Sequence, residues 1–227
     1  MLVGTSPFVG AGQFGTRAWA YYRIFHGHPE RIAQIIGEAY RLGGRGVQPL
    51  PSRTVVDGVR MAEEVCGGLK VVPSVLEAGD VDVFSRFDLP AILIHGSVTD
   101  RRDEKTLRNL LRKCGEVDAP VGFVTHKPKE TLSWLSERFD FDVVMVPINP
   151  VGRFMDWTVE EAAETLRRLG KFVIAKKALA AGSVPPSEAF RFLSQLGCVD
   201  SVAVGLASVE EVRETVPEAL KYFRETV

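Results

Sequence analysis

The chain has 227 residues, of which 45% are apolar and 25% are charged, and its formal net charge at pH 7 is −1. This balance is that of a folded globular protein, and it gives no support for a nucleic-acid partner or a membrane surface. No apolar run approaches the roughly 20 residues of a membrane span. The three cysteines are far apart and form neither a disulfide framework nor a paired-cysteine metal site. We therefore expect a reduced, cytoplasmic protein.

Eight short apolar segments, rich in Val and Ile, recur along the chain without strict polar alternation. This pattern is typical of strands that are buried on both faces of a parallel sheet. The predicted strands are residues 1–6, 46–50, 70–75, 91–96, 121–126, 142–149, 171–177 and 201–205. Segments of helical period lie between them, with the weakest at residues 79–87. The alternation predicts an α/β fold, a single (β/α)8 TIM barrel domain over residues 1–227. An open, doubly wound sheet is the alternative.

In the first helical segment, residues 28–43, the residues Ile32, Ile35, Ile36 and Ala39 fall on one stripe. Thr158 and Glu161 have the spacing of a capping box, which predicts a helix start after the sixth strand. We interpret the aromatic-rich residues 16–30, which follow Gly15, as a loop over the barrel mouth that acts as a lid or a subunit contact. The alternative is that these aromatic residues simply cover one end of the barrel.

Polar residues end most of the predicted strands. In a (β/α)8 barrel the active site lies at the carboxyl ends of the strands, so their position has functional meaning. We predict that three of these residues, Gln48, Ser74 and Asn149, contact a substrate. The alternative is that polar residues simply end strands and cap helices. Of the adjacent pair Lys176 and Lys177, one should face the barrel, because neighbours on a strand point to opposite faces.

The stretch VDSVAVGLASVEEV, residues 199–212, ends a strand on Gly205 and opens a helix within a few residues. Ser208 and Glu211 have capping-box spacing, so the helix should start near residue 209. The preceding connection carries Gly182 and Ser183. Since loops after the seventh and eighth strands form the usual phosphate site of this fold, we predict a small-molecule ligand with a phosphate or another anionic group.

Two short motifs carry less weight. Gly10, Gly12 and Gly15 form G-x-G-x-x-G, but no acidic residue ends a second strand about 20 positions later, as a dinucleotide fold requires. His26 and His28 form H-x-H without the further ligands that a closed metal site needs. We therefore predict no metal.

Much of the chain resembles the aldo/keto reductase family of (β/α)8 barrels. AILIHGS at residues 91–97 is similar to its strand-4 motif, VGFVTHKPKETL at residues 121–132 to its strand-5 motif, and residues 173–216 to its C-terminal third. GQFGTRA near the start is similar to its glycine-rich opening. The match is good over residues 90–216 and poor over residues 40–80, so the resemblance implies the barrel fold above all.

The resemblance also implies site residues. His95 matches the catalytic His of the family, while GVQPLPSRTVVDG and VVPSV lack the Asp, Tyr and Lys that complete the catalytic set. Lys177 is the member of the lysine pair that the family match places at the barrel mouth, and we take His95 and Lys177 as catalytic candidates. The implied cofactor is NADP. Its predicted contacts are Thr125 and His126 at the nicotinamide amide, Gly182, Ser183, Gly205, Ala207 and Ser208 at the phosphates, and Arg213 at the 2′-phosphate.

These observations favour a divergent aldo/keto reductase-like protein, an NAD(P)-binding oxidoreductase with altered or lost carbonyl-reductase chemistry. The first alternative is a phosphosugar isomerase or lyase barrel that uses the predicted phosphate site with His95 or Lys177. The second is a ligand-binding barrel without catalysis. A homo-oligomer is compatible with either, through the aromatic segment.

Overall fold

The computed structural model describes residues 1–223, and its strands form one all-parallel sheet. The strands are β1 (Leu2–Gly4), β2 (Gly46–Gln48), β3 (Lys70–Val71), β4 (Ser74–Val75), β5 (Ile92–Ile94), β6 (Val121–Val124), β7 (Val143–Pro147), β8 (Phe172–Lys176) and β9 (Ser201–Gly205). Their order is β3-β2-β1-β9-β8-β7-β6-β5-β4. The first and last strands of this order are the two halves of one segment, residues 70–75.

This segment closes the barrel. β3 pairs with β2, and β4 pairs with β5. The two halves flank Pro73, which has no N–H to donate to a ladder, although its carbonyl accepts from the Leu93 N–H. The barrel therefore has eight strand segments, and the predicted (β/α)8 fold is confirmed, with all eight predicted strands in place.

The helices fill the connections and pack around the sheet. They are α1 (Arg17–Phe25), α2 (Pro29–Arg41), α3 (Arg53–Cys66), α4 (Ala78–Phe84), α5 (Gly96–Thr99), α6 (Glu104–Cys114), α7 (Pro128–Ser136), α8 (Val159–Leu169), α9 (Pro186–Gln195) and α10 (Val209–Leu220). The capping box of Thr158 and Glu161 opens α8, and Ser208 caps α10, as the spacing predicts. The stripe from Ile32 to Ala39 is buried on α2.

The segment after Gly15 was predicted as a loop, and that prediction is wrong, because residues 17–25 form α1. Two short 3-10 turns, Pro7–Val9 and Gly12–Phe14, precede it. Phe25 is buried at 1% exposure, and its ring centroid lies 4.6 Å from that of Phe8. The aromatic residues thus supply an apolar face that holds α1 against the first turn, while Trp19 stays 67% exposed.

Alternate strand residues fill the barrel interior. One buried cluster contains Leu93, Val124, Met145, Ile174 and Ala203 with their interior neighbours, and a larger cluster lies between the sheet and the helices. Because side chains alternate along a strand, the residue two positions after Ile174 also faces inward, and that residue is Lys176. Within residues 1–223, no helix combines the length and hydropathy that a membrane crossing requires.

Candidate functional site

A cavity of about 700 Å³ opens at the carboxyl ends of the strands. Its floor is made by the last inward-facing residues of the strands. Those with polar side chains are Gln48, Ser74, His95, His126 and Lys176. The loops after β8 and β9 form one wall, and Phe14, Arg17 and Tyr21 from the N-terminal segment form another. Gln48 and Ser74 are linked, since Gln48 Nε2 donates to Ser74 Oγ at 2.9 Å.

Two histidines and a lysine form the polar centre of this floor. Lys176 is only 8% exposed, and its Nζ lies 2.9 Å from His126 Nδ1. The rings of His95 and His126 meet edge to face, with centroids 6.0 Å apart. His95 Nδ1 accepts from the Ser97 backbone N–H at 3.2 Å, which leaves the ring proton of the neutral histidine on Nε2. No carboxylate in the described chain forms an ion pair with Lys176.

Burial is the main cause of the electrostatics of this centre. It lowers the pKa of His126 to about 3, with further lowering by Lys176, Lys177 and His95. Burial also lowers the pKa of His95, and the charge of Lys176 adds to that shift while Asp100 opposes it. The pKa of Lys176 falls well below its ordinary value, first because of burial and then because of Lys177. Both imidazoles are therefore neutral near pH 7.

His126 is held from two sides. Its backbone N–H donates to Asp100 Oδ2 at 2.8 Å, and Asp100 also accepts from the hydroxyl of Thr125. Gly96 packs directly on the imidazole, because a Cβ added there would lie 2.6 Å from His126 Cδ2. The sequence indicates a solvated loop at Asp100. In the structure its carboxylate connects the segment after β5 to Thr125 and His126 at the end of β6.

The loop after β8 presents cations at the cavity mouth. Lys177, Ala180 and Ala181 all have φ between +48° and +58°, and Gly182 has φ +86°. Arg17 Nη2 donates to the carbonyl of Ala181 at 2.6 Å, and Arg153 Nη1 donates to Ser183 Oγ at 2.6 Å. Non-glycine residues in left-handed conformations are uncommon and cluster at ligand sites. This segment of residues 177–183 with Arg17 and Arg153, which we call the basic rim, suits an anionic ligand.

The corner between β9 and α10 is different, because its donors are satisfied internally. Glu211 Oε2 accepts from the Ala207 N–H at 2.7 Å, and Ser208 Oγ accepts from the Glu211 N–H. A Cβ on Gly205 would lie 2.8 Å from Pro7 Cδ, so the N-terminal turn covers this glycine. Arg213 does not reach the cavity, since its Nε donates to Glu38 at 2.7 Å.

The structure thus brings most predicted site residues together. The cavity is lined by Gln48, Ser74, His95, His126, Lys177, Gly182, Ser183 and Gly205. Thr125 is fully buried next to it, and Asn149 is buried in its own loop, where its side chain bonds to backbone atoms of Val151 and Arg153. In residues 1–223, no group of three or more His, Cys, Asp or Glu side chains is arranged for a metal.

Sequence reasoning missed two contributors, Arg17 and Arg153, and left open which of Lys176 and Lys177 faces inward. Alternation on the seventh predicted strand indicated that one lysine faces inward, but only the register of β8 shows that it is Lys176. Lys177 turns outward to the mouth, where its Nζ lies 5.4 Å from the Phe154 ring centroid. The two arginines lie on loops and helices whose distance from the cavity no local pattern reveals.

Comparison with known proteins finds its matches among solved structures. No family model matches the sequence, and no curated protein matches it. A putative aldo-keto reductase from Pseudomona aeruginosa is 17% identical over 86% of this chain and 84% of its own, with a TM-score of 0.66. A mutant of Gox0644 in complex with NADPH is 14% identical over 88% and 81% of the two chains, with a TM-score of 0.65.

A third match is the holo form of the aldo-keto reductase AKR11C1 from Bacillus halodurans, which is 13% identical over 82% and 80% of the two chains, with a TM-score of 0.60. At these low sequence identities the matches support a shared fold and nothing more. The chain therefore has the (β/α)8 fold seen in aldo-keto reductases, over most of its length and most of theirs.

Proposed function

We propose that the protein is a divergent oxidoreductase of the aldo-keto reductase type, which binds a nicotinamide dinucleotide and whose carbonyl-reducing step is altered or lost. The observation that carries this proposal is the cavity at the strand ends, with His95 on its floor and the basic rim at its mouth. The NADPH complex of a protein with the same fold supports the choice of cofactor class.

The side of the cavity formed by the loop after β8 fits a dinucleotide. Arg17 and Lys177 line the cavity, Arg153 bonds to the cavity residue Ser183, and a Cβ on Gly182 would meet only the Arg17 guanidinium, at 3.5 Å. Guanidinium groups are suited to phosphate oxygens. We therefore assign the diphosphate to the basic rim.

The side of the cavity formed by the corner between β9 and α10 does not fit a 2′-phosphate. The Ala207 N–H, just before α10, already donates to the Glu211 carboxylate, and Arg213 donates to Glu38. The Glu211 and Glu214 side chains also line the cavity and would repel a phosphate there. We therefore propose a nicotinamide dinucleotide without a preference for NADP over NAD, because the diphosphate assigned to the basic rim is common to both.

The chemistry of a bound reduced nicotinamide is hydride donation to a carbonyl carbon. His95 is the residue of this chain that we assign to the substrate oxygen, through its Nε2–H. The family's Tyr and Lys are missing, and because burial lowers the pKa of His95, little imidazolium is present near pH 7 to serve as the acid. A positioned acid contributes typically 10²- to 10⁴-fold in rate, so reduction of simple aldehydes should be weaker by about that factor than in a complete reductase.

The test is a fluorescence titration of cofactor-free protein with NADPH and with NADH, followed by steady-state NADPH oxidation with a panel of aldehydes and ketones. We expect saturable dinucleotide binding with slow or no turnover, and a further loss in His95→Ala if turnover is seen. Fast turnover would show that another residue supplies the proton. Absence of binding by either dinucleotide, with binding of inorganic phosphate retained, would contradict the proposal and favour the phosphosugar alternative.

A further inference from the structure

Lys176 differs from the other lysines of the described chain in its surroundings. It is buried at 8% exposure, faces the barrel interior and lines the cavity. The other buried polar side chains of the floor, Gln48 and Ser74, bond to each other, whereas the Lys176 amine bonds to an imidazole nitrogen. A buried ammonium normally has a carboxylate partner, because an unpaired charge in the interior is costly.

We propose that Lys176 is a nucleophilic amine that forms an imine with a carbonyl compound bound in the cavity, assisted by His126. This activity goes beyond the proposed dinucleotide-dependent function, because it needs no cofactor. It also differs from the usual proton transfer to a carbonyl oxygen, since a covalent bond to the chain is formed.

The surroundings favour the uncharged amine that such a reaction needs. His126 Nδ1 can accept a hydrogen from Nζ at 2.9 Å while the nitrogen lone pair stays available. The charged groups nearest the amine are Lys177, which disfavours the ammonium, and Asp100, which favours it. Asp100 is engaged by the Thr125 hydroxyl and the His126 backbone N–H, and it forms no ion pair with Lys176.

The reaction balances with the groups present. The Nζ lone pair attacks the carbonyl carbon, the nitrogen passes one proton to His126 Nδ1, and the imidazole gives this proton to the oxygen, which yields a neutral carbinolamine and a neutral ring. The second nitrogen proton then passes through the same imidazole to the hydroxyl group. Water leaves, and the nitrogen lone pair forms the carbon–nitrogen double bond. The net products are an imine and one water, with no oxidant or reductant consumed.

His126 is a positioning and proton-transfer residue in this scheme, and Gly96 sets its place. A Cβ at position 96 would lie 2.6 Å from Cδ2 and 2.8 Å from Nε2 of the ring, so the ring must move in Gly96→Ala. Moving the ring lengthens the bond between His126 and Lys176 without removing either side chain. This variant separates the role of the imidazole from the presence of the amine.

The experiment is reductive trapping of the full chain without cofactor, with propanal and sodium cyanoborohydride at pH 6.5, followed by peptide mapping by mass spectrometry. The reagent reduces an imine to a stable propyl amine. We expect Lys176 to be labelled at least tenfold faster than Lys177, than the half-buried Lys171 and than the exposed Lys221. A primary amine in water is almost fully protonated at this pH and reacts slowly.

Three variants complete the test. Lys176→Met should lose the fast phase of labelling, while Lys171→Met, at the other end of the same strand, should keep it. Gly96→Ala should keep labelling at Lys176 but slow it several-fold. If Lys176→Met does not fold, the labelling sites of the unaltered chain still decide the question. Labelling of Lys176 no faster than that of Lys171 would overturn the proposal, whether or not the protein binds NADPH.

Discussion

The loops after β8 and β9 are neighbours, both rich in small residues, and both end at the carboxyl side of a strand, yet they offer opposite environments. At the first loop, Arg17 and Arg153 bond to Ala181 and Ser183 and leave a basic rim around Gly182. At the second, Glu211 takes the Ala207 N–H, and Pro7 covers Gly205. A carboxylate four residues away thus occupies the backbone donor at one of the two loops, a difference that loop composition alone does not reveal.

The largest effect, on the stability of the fold, is expected from a larger side chain at Gly205, which Pro7 already covers. In Gly205→Val a side chain must enter the space of Pro7, whose Cδ and Cγ lie 2.8 and 2.9 Å from a Cβ there. We expect a loss of about 1–3 kcal/mol in the free energy of unfolding, without any ligand, as for overpacked cores. Urea denaturation measures it. Gly79→Ala, where the added Cβ meets nothing within 4 Å, is the control. Unchanged stability of Gly205→Val would mean that the corner is open.

Lys176→Met should raise stability, by about 1–2 kcal/mol at pH 6, because a buried amine without a carboxylate partner is costly. Burial lowers the pKa of Lys176 well below 10.5 and that of His126 from 6.5 to about 3. The unfolded chain binds protons that the folded chain excludes, so Lys176 reduces stability as the pH falls below about 10.5, and His126 reduces it further as the pH falls from about 6.5 towards 3.

Thermal unfolding between pH 4 and 8 measures this dependence. His126→Gln should flatten the acid limb, since it removes one of the groups that titrate there. If Lys176→Met is less stable than the parent and keeps its pH profile, the amine is well compensated in the fold. The cavity floor would then resemble the corner between β9 and α10, where the polar groups are bonded internally.

Arg17→Met should weaken binding of a phosphate-bearing ligand about tenfold, because it removes a cation from the basic rim. Arg213→Met is the matched variant at the satisfied corner, and we expect less than a twofold change, since Arg213 is paired with Glu38 outside the cavity. Calorimetric titration with NADPH and with ADP compares the two. A larger effect of Arg213→Met would show that its pair with Glu38 opens when the ligand binds.

The smallest effect should come from Glu211→Ala. The change frees the Ala207 N–H and removes a favourable carboxylate from the first turn of α10, which together cost about 1 kcal/mol of stability. The same change should make the corner more attractive to an anion. Thermal unfolding with and without about 50 mM phosphate should detect a stabilisation by phosphate that the parent protein lacks. An equal response in both proteins would mean that Glu211 does not block the corner.

Local sequence patterns are sufficient to predict the barrel. Short Val- and Ile-rich strands, helices with one apolar stripe, and caps such as Thr158 with Glu161 are local patterns with local physical causes, and they place all eight strands and the start of α10. The same logic placed His95, His126, Gln48 and Ser74 at the cavity, because the active face of such a barrel is set by strand direction. It failed for α1, whose aromatic residues were interpreted as a loop although Phe25 packs on Phe8.

Which of those residues lie together depends on contacts between distant segments. The register of β8 turns Lys176 inward and Lys177 to the mouth, and a shift of one residue would exchange them. The pairing of Arg213 with Glu38, residues 175 positions apart, and of Glu211 with the Ala207 N–H removes two groups from a predicted anion site. Such contacts depend on how distant segments pack, and burial then lowers the pKa values of Lys176 and His126, which no local pattern encodes.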